Sequence, residues 1–106
     1  MNTNNVTLIT SNDNIPTKGR VVIDFFADWC GPCKKLAPHF MECSNLEEYK
    51  DITFLKVNTD DSEELAKQFE VSALPTLIFM KDTEVTSIMK GFDLNKFKTA
   101  LNELAK

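Results

Sequence analysis

Apolar and polar positions along the chain fall into two alternating rhythms. Val21-Val22-Ile23-Asp24-Phe25-Phe26 is a continuous apolar run broken by one acid, the mark of a strand buried on both faces. Residues 6–10 and 52–58 read as further strands, and residues 76–81 and 85–90 as two strands joined by a tight turn. From about residue 33 to 49 the positions Leu36, Phe40, Cys43 and Leu46 recur at near-helical spacing. Pro38 lies inside that stretch, where it removes one hydrogen bond and predicts a kink. Residues 62–69 read as a short helix, with Ser62 as cap and Glu63 and Glu64 in its first turn. Residues 94–105 form an amphipathic helix capped by Asp93, with Leu94, Phe97, Leu101 and Leu104 on one face. The polar segment 11–19 contains Pro16 and Gly19 and is too short for a helix with two connections. It predicts a loop or at most one helical turn, leaving three substantial helices. Strand, helix, strand, helix, hairpin, helix describes an α/β domain with a mixed central sheet flanked by helices.

Composition narrows this picture modestly. The chain has 106 residues and 42% apolar content, enough for a single domain with its own core spanning residues 1–106. A net charge of −4 leaves no general footprint for nucleic acid. No stretch approaches membrane-spanning length, and the polar opening Met1-Asn2-Thr3-Asn4-Asn5 is not followed by an apolar run of signal-peptide length. Three cysteines do not make a secreted disulfide scaffold, so a reducing, cytoplasmic setting is expected. There are no internal repeats or low-complexity tracts.

The chemistry concentrates where the apolar run meets the long helix, at Trp29-Cys30-Gly31-Pro32-Cys33-Lys34. Thiols three residues apart on one helical turn face the same side, with Cα atoms roughly 5–6 Å apart, within disulfide reach. Pro32 suits the first turn, where its missing N–H costs nothing. Cys30 then sits near the N-cap, facing backbone N–H groups that have no partner within the helix. Those donors and the helix dipole favour a thiolate, so the Cys30 pKa should fall below about 8.5. Cys33 lies a turn further in and should be less exposed. Cys30 would attack a disulfide and Cys33 would resolve the mixed disulfide. A zinc site competes poorly, because the remaining ligands, His39 and Cys43, lie on the following helix and cannot easily converge on Cys30. A permanent structural disulfide would close too short a loop to stabilise much. Neither a metal nor another cofactor is expected.

These residues resemble the active-site signature of the thioredoxin family. Asp24-Phe25 in the preceding strand and Leu74-Pro75-Thr76 further on look like the same family, and the similarity runs from about Val21 to the C-terminus. The five-residue Trp-Cys-Gly-Pro-Cys is specific, where a lone C-x-x-C would be weak. The resemblance implies a thioredoxin fold and a dithiol carrier that reduces protein disulfides, without a cofactor beyond its own redox-active disulfide. Gly31-Pro32 resembles the reducing members, since isomerase-like and oxidant members usually carry a histidine before the second cysteine. The implied partners are disulfide-containing proteins and a thioredoxin reductase that recharges a monomer. The alternative is a binding or scaffold subunit of the same fold, without turnover.

The resemblance also assigns individual roles. Asp24, among Val22, Ile23, Phe25 and Phe26, is either an ordinary hydrogen-bonded acid or a desolvated proton exchanger for Cys33. The family carries a buried Asp there, and Lys56 matches the lysine near it. From the residues alone Lys56 could equally snorkel to solvent. Pro75 would be trans on base rates, whereas the family's matching proline is cis and packs beside the sulfurs. The Leu74 backbone would pair with an extended substrate segment. Gly91 would let a substrate backbone come close. Trp29 would form the apolar rim of that groove, its rival role being core packing.

Several other residues read more simply. His39 reads as a surface residue. Met41, Met80 and Met89 read as packing or scattered surface groups. Asp60 and Asp61 read as helix-capping acids. Cys43 is expected to be an inert core thiol, since ten residues of helix place it roughly 15 Å from Cys33. The chain departs from the family in its short segment 11–19, in Thr83 where a turn favours glycine, and in Phe26 where a second Trp is common.

Overall fold

The computed structural model describes residues 5–106. Five strands form one mixed sheet: β1 (Val6–Leu8), β2 (Arg20–Phe26), β3 (Ile52–Asn58), β4 (Thr76–Lys81) and β5 (Glu84–Lys90), in the order β1-β3-β2-β4-β5. β3 runs parallel to both β1 and β2, and β4 runs antiparallel to β2 and β5. The apolar run 21–26 thus becomes the central strand. Three helices accompany the sheet: α1 (Gly31–Ser44), α2 (Glu63–Gln68) and α3 (Leu94–Ala105).

Alternation along β2 sorts its side chains between two cores. Val22 packs with Leu36, Phe40 and Cys43 of α1 and with Phe97 and Leu101 of α3. Val21, Ile23 and Phe25 point the other way, toward Leu65 of α2 and the apolar residues of β3 and β4. Asp24 and Phe26 therefore share the α1 side with Val22. A strand with a buried acid on that side places its carboxyl under the helix that carries the thiols.

Segment 11–19 contains a single 3₁₀ turn, Asn12–Asn14, with the Ser11 hydroxyl accepting from the Asp13 N–H. The expected absence of a longer helix holds there. The helix expected over 33–49 is shorter at its far end and begins earlier. It runs from Gly31 through Pro38 and stops at Ser44, whose hydroxyl donates to the Met41 carbonyl at 2.6 Å. Leu46 is extended, and a separate 3₁₀ turn over Glu47–Tyr49 then buries Tyr49. Local side-chain bonding of this kind competes with helix continuation, which spacing of apolar residues alone does not reveal.

Ser62 occupies the N-cap of α2, but its hydroxyl does not cap the helix: it is buried and makes no hydrogen bond. The chain instead leaves β3 through a turn in which the Ser62 N–H donates to the Asn58 carbonyl, and the Asn58 side chain accepts from the Asp60 N–H. Asp93 caps α3 as expected, accepting from the Lys96 N–H at 3.1 Å. In the β4–β5 hairpin, Asp82 and Thr83 both have positive φ, 50° and 72°.

Candidate functional site

α1 starts shortly after the C-terminal end of β2, and its first turn carries both thiols. Cys30 is the N-cap, with φ −89° and ψ 113°, and Pro32 lies in the first turn. The Cys33 N–H donates to Cys30 Sγ at 3.2 Å. The sulfur thus meets one of the orphan donors at the helix start, the placement expected from the sequence. The two cysteines form a disulfide with Cα atoms 5.3 Å apart.

The expected difference in exposure between the thiols is absent. Cys30 is 5% exposed and Cys33 4%. They differ in what they face. Cys30 lines an open groove of about 490 Å³ with Trp29, Pro32, Thr59, Ala73 and Leu74. Cys33 lines a separate cavity of about 200 Å³ with Asp24, Ala37 and Lys56. One helical turn separates an outward-looking sulfur from one that looks toward a buried acid.

Asp24 is 4% exposed, and its Oδ1 has no hydrogen-bond partner. Burial pushes its pKa up from 3.8 to about 7, against a smaller opposing pull from the Lys56 ammonium. An acid in this state can take up and release a proton near neutrality. Lys56 is its register partner across the parallel β2–β3 pair. The Lys56 ammonium is not free in solvent: it lies over the Phe26 ring, 5.6 Å from the centroid.

The groove beside Cys30 is shaped by three other segments. The Leu74–Pro75 peptide bond is cis. Pro75 is buried, and Leu74 packs against the cluster of Ala27, Cys30 and Cys33. The Gly91 N–H donates to the Pro75 carbonyl at 2.8 Å with φ 83° at Gly91, a conformation that favours glycine. Gly91 thereby braces the proline loop, and a Cβ placed on it would meet nothing within 4 Å. Trp29 is 71% exposed, so core packing does not explain it. Its indole N–H donates to Asp60 at 2.9 Å. Asp60 thus anchors the Trp29 indole and does not act as a helix-capping acid. No local pattern links residues that far apart in the chain.

His39 is half-buried and stacks on Phe92, with centroids 5.8 Å apart. Cys43 is buried in the α1 core and its thiol pKa is raised chiefly by burial. Among the described residues no group of three or more His, Cys, Asp or Glu side chains could hold a metal ion.

The profile of the thioredoxin family matches residues 4–103. A thioredoxin of Mycoplasmoides gallisepticum is 40% identical over 92 residues, 87% of either chain. Human thioredoxin is 39% identical over 84 residues, covering 79% of this chain and 78% of its own. The crystal structure of Malassezia sympodialis thioredoxin superimposes with a TM-score of 0.91 at 32% identity, over 100% of this chain and 96% of that one.

Proposed function

The chain belongs to the thioredoxin family and is a thiol–disulfide oxidoreductase that reduces protein disulfides, and we propose how its residues divide that work. The observation that carries the proposal is the N-cap position of Cys30, with its sulfur accepting from the Cys33 N–H. In the reduced protein that donor stabilises the Cys30 thiolate, which attacks one sulfur of a substrate disulfide. A Cys30–substrate bond forms, the substrate S–S bond breaks, and the departing sulfur takes a proton. Cys33 then gives its proton to the Asp24 carboxylate and attacks Cys30 Sγ. The Cys30–Cys33 bond forms, the Cys30–substrate bond breaks, the second substrate sulfur leaves and takes the proton held by Asp24, and two electrons have passed to the substrate.

Trp29, Leu74 and Pro75 form the docking groove, with the Leu74 backbone pairing to an extended segment in strand-addition style. Gly31 and Pro32 line the groove beside Cys30, and Gly91 braces the proline loop and gives a substrate backbone room to approach. The natural partners are disulfide-bearing proteins and a flavin-dependent thioredoxin reductase that returns the carrier to its dithiol form. We assign the protein as a monomer in a reducing, cytoplasmic compartment, where it serves redox homeostasis as an electron carrier. The buried free thiol of Cys43 fits such a compartment. A mitochondrial relative from Saccharomyces cerevisiae, 35% identical over 97 residues, makes the compartment a matter for localisation experiments. Among the described residues no helix is long and apolar enough to cross a membrane.

The test couples the protein to a thioredoxin reductase and NADPH, with insulin as disulfide substrate. Catalytic NADPH consumption is expected, many turnovers per molecule. Tight binding to insulin without turnover would favour the scaffold reading.

A further inference from the structure

Asp24 and Lys56 sit opposite each other on neighbouring strands, yet they are not an ion pair. The ion pairs among the described residues are Lys50–Glu47 and Lys106–Glu103, both on the surface. The Lys56 ammonium is over the Phe26 ring instead, while Asp24 Oδ1 has no hydrogen-bond partner. Phe26 lies two residues beyond Asp24 on the same face of β2. It also packs against the cluster of Ala27, Cys30 and Cys33. Phe26 therefore stands between the cluster that holds the two cysteines and the lysine, and shares the cavity of Asp24 and Cys33.

We propose that Phe26 is a positioning residue for the resolving step: its ring holds the Lys56 ammonium off the Asp24 carboxylate, keeping Asp24 a proton carrier and not half of an ion pair. The ring face is electron-rich and attracts an ammonium, more strongly where water is scarce. A lysine on a flexible four-carbon stem has two attractive neighbours at this place, the ring and the carboxylate. Close pairing with the carboxylate would favour its ionised form and pull its proton affinity down. Asp24 would then accept the Cys33 proton less readily. With the ammonium on the ring, the lysine still lowers the proton affinity, but burial dominates.

The charged groups facing Asp24 are few. Lys56 comes from β3, Lys34 from α1 and Asp28 from the turn after β2, while Cys33 shares the cavity but carries no charge within the disulfide. β4 presents Leu77 as the register partner of Asp24 and brings no charge. Asp28 and Lys34 are exposed and of opposite sign. Lys56 is thus the cation whose position matters most.

The catalytic consequence rests on Asp24 being the proton exchanger, but the positioning claim is tested by titration alone. The Asp24 carboxyl is followed by NMR against pH in the oxidised wild type and in Phe26→Leu. The midpoint is expected to fall by at least about half a unit in the leucine variant. Phe26→Trp, which keeps an aromatic face, should hold the wild-type value. In a Lys56→Met background, Phe26→Leu should produce no such fall. An unchanged or higher midpoint in Phe26→Leu overturns the proposal. So does an equal fall with and without Lys56, which would mean that the ring only excludes water. In the wild type, the Lys56 side-chain protons nearest the ammonium should be displaced upfield by the ring current; their absence from that region also overturns it. If the titrations behave as expected while Asp24→Asn leaves turnover unchanged, the positioning stands and the proton-exchange role falls.

Discussion

The two ends of β2 each contain an unfavourable local structure, and only one of them lies near a reacting group. At the C-terminal end a buried carboxyl has an oxygen without a hydrogen-bond partner, beside the dithiol turn. At the N-terminal end Gly19 is tied to the β4–β5 hairpin. The Gly19 N–H donates to the Asp82 carboxylate at 2.7 Å, and the Asp82 N–H donates back to the Gly19 carbonyl at 2.9 Å. That hairpin holds Thr83, a β-branched residue, at φ 72°. Seven strand residues, roughly 20 Å, separate the two ends. Strain or desolvation is not by itself a sign of function. The buried carboxyl can exchange a proton with a thiol, whereas the strained threonine only closes a turn.

The contrast is sharpest at the thiols. Cys30→Ser should abolish disulfide reduction. Cys33→Ser should still attack but stall as a mixed disulfide, which can be isolated by non-reducing electrophoresis and mass spectrometry. Burial cannot account for such an asymmetry, because the two sulfurs are equally hidden. Faster alkylation of Cys33 than of Cys30 in the reduced protein near neutral pH would reverse the assignment.

Removing the charge at the other group of the dithiol end should separate stability from activity. Ionised Asp24 penalises the folded state, since its pKa is about 7 there against 3.8 for an unperturbed carboxyl. Below 3.8 both states are protonated and there is no penalty. It grows as pH rises past the unfolded value and levels off above the folded one, reaching about 4 kcal/mol at most. Asp24→Asn should therefore stabilise the oxidised protein by about 2–3 kcal/mol at pH 8, because the amide leaves its own polar atoms buried. That gain should vanish by about pH 4. The resolving step should slow by about 10²-fold, the low end for a positioned proton exchanger. Denaturation against pH, read beside single-turnover kinetics, checks both. Equal stability of the two proteins at pH 8 would mean that Asp24 is well solvated.

Much of this site was legible from residues close together in sequence. The cap, the proline and the second thiol lie within one turn, so local rules describe them. The buried acid stood out because an aspartate interrupts an otherwise apolar strand. Helix α3 followed the pattern fully, because Asp93 and its apolar stripe say the same thing. What sequence reasoning missed depends on pairs brought together by the sheet. Asp60, just after β3, meets the Trp29 indole, just after β2, and Lys56 of β3 meets Phe26 of β2. The groove and the cavity that divide the thiols each need a distant segment as well, Thr59 and Leu74 beside Cys30 and Lys56 of β3 beside Cys33. The end of α1 was missed for a different reason: Leu46 continues the apolar spacing after the backbone has left the helix.

The hairpin end supplies the control for the dithiol end. Thr83 occupies a left-handed conformation that disfavours a β-branched side chain by about 1–2 kcal/mol. Glycine removes that cost but adds flexibility to the unfolded chain, which returns roughly 0.5–1 kcal/mol. Thr83→Gly should therefore stabilise the protein by about 0.5–1 kcal/mol, a rise of a few degrees in Tm for a domain of this size. Because Asp82 keeps its bonds to Gly19, the register of β2 should not change, and turnover should stay at the wild-type rate. A stabilised Thr83→Gly with normal turnover, set against a stabilised Asp24→Asn with slow turnover, would show that only one of the two costs serves the chemistry. A loss of activity in Thr83→Gly comparable to that of Asp24→Asn would mean the hairpin is mechanically coupled to the dithiol through β2, and the contrast between the two ends would fail.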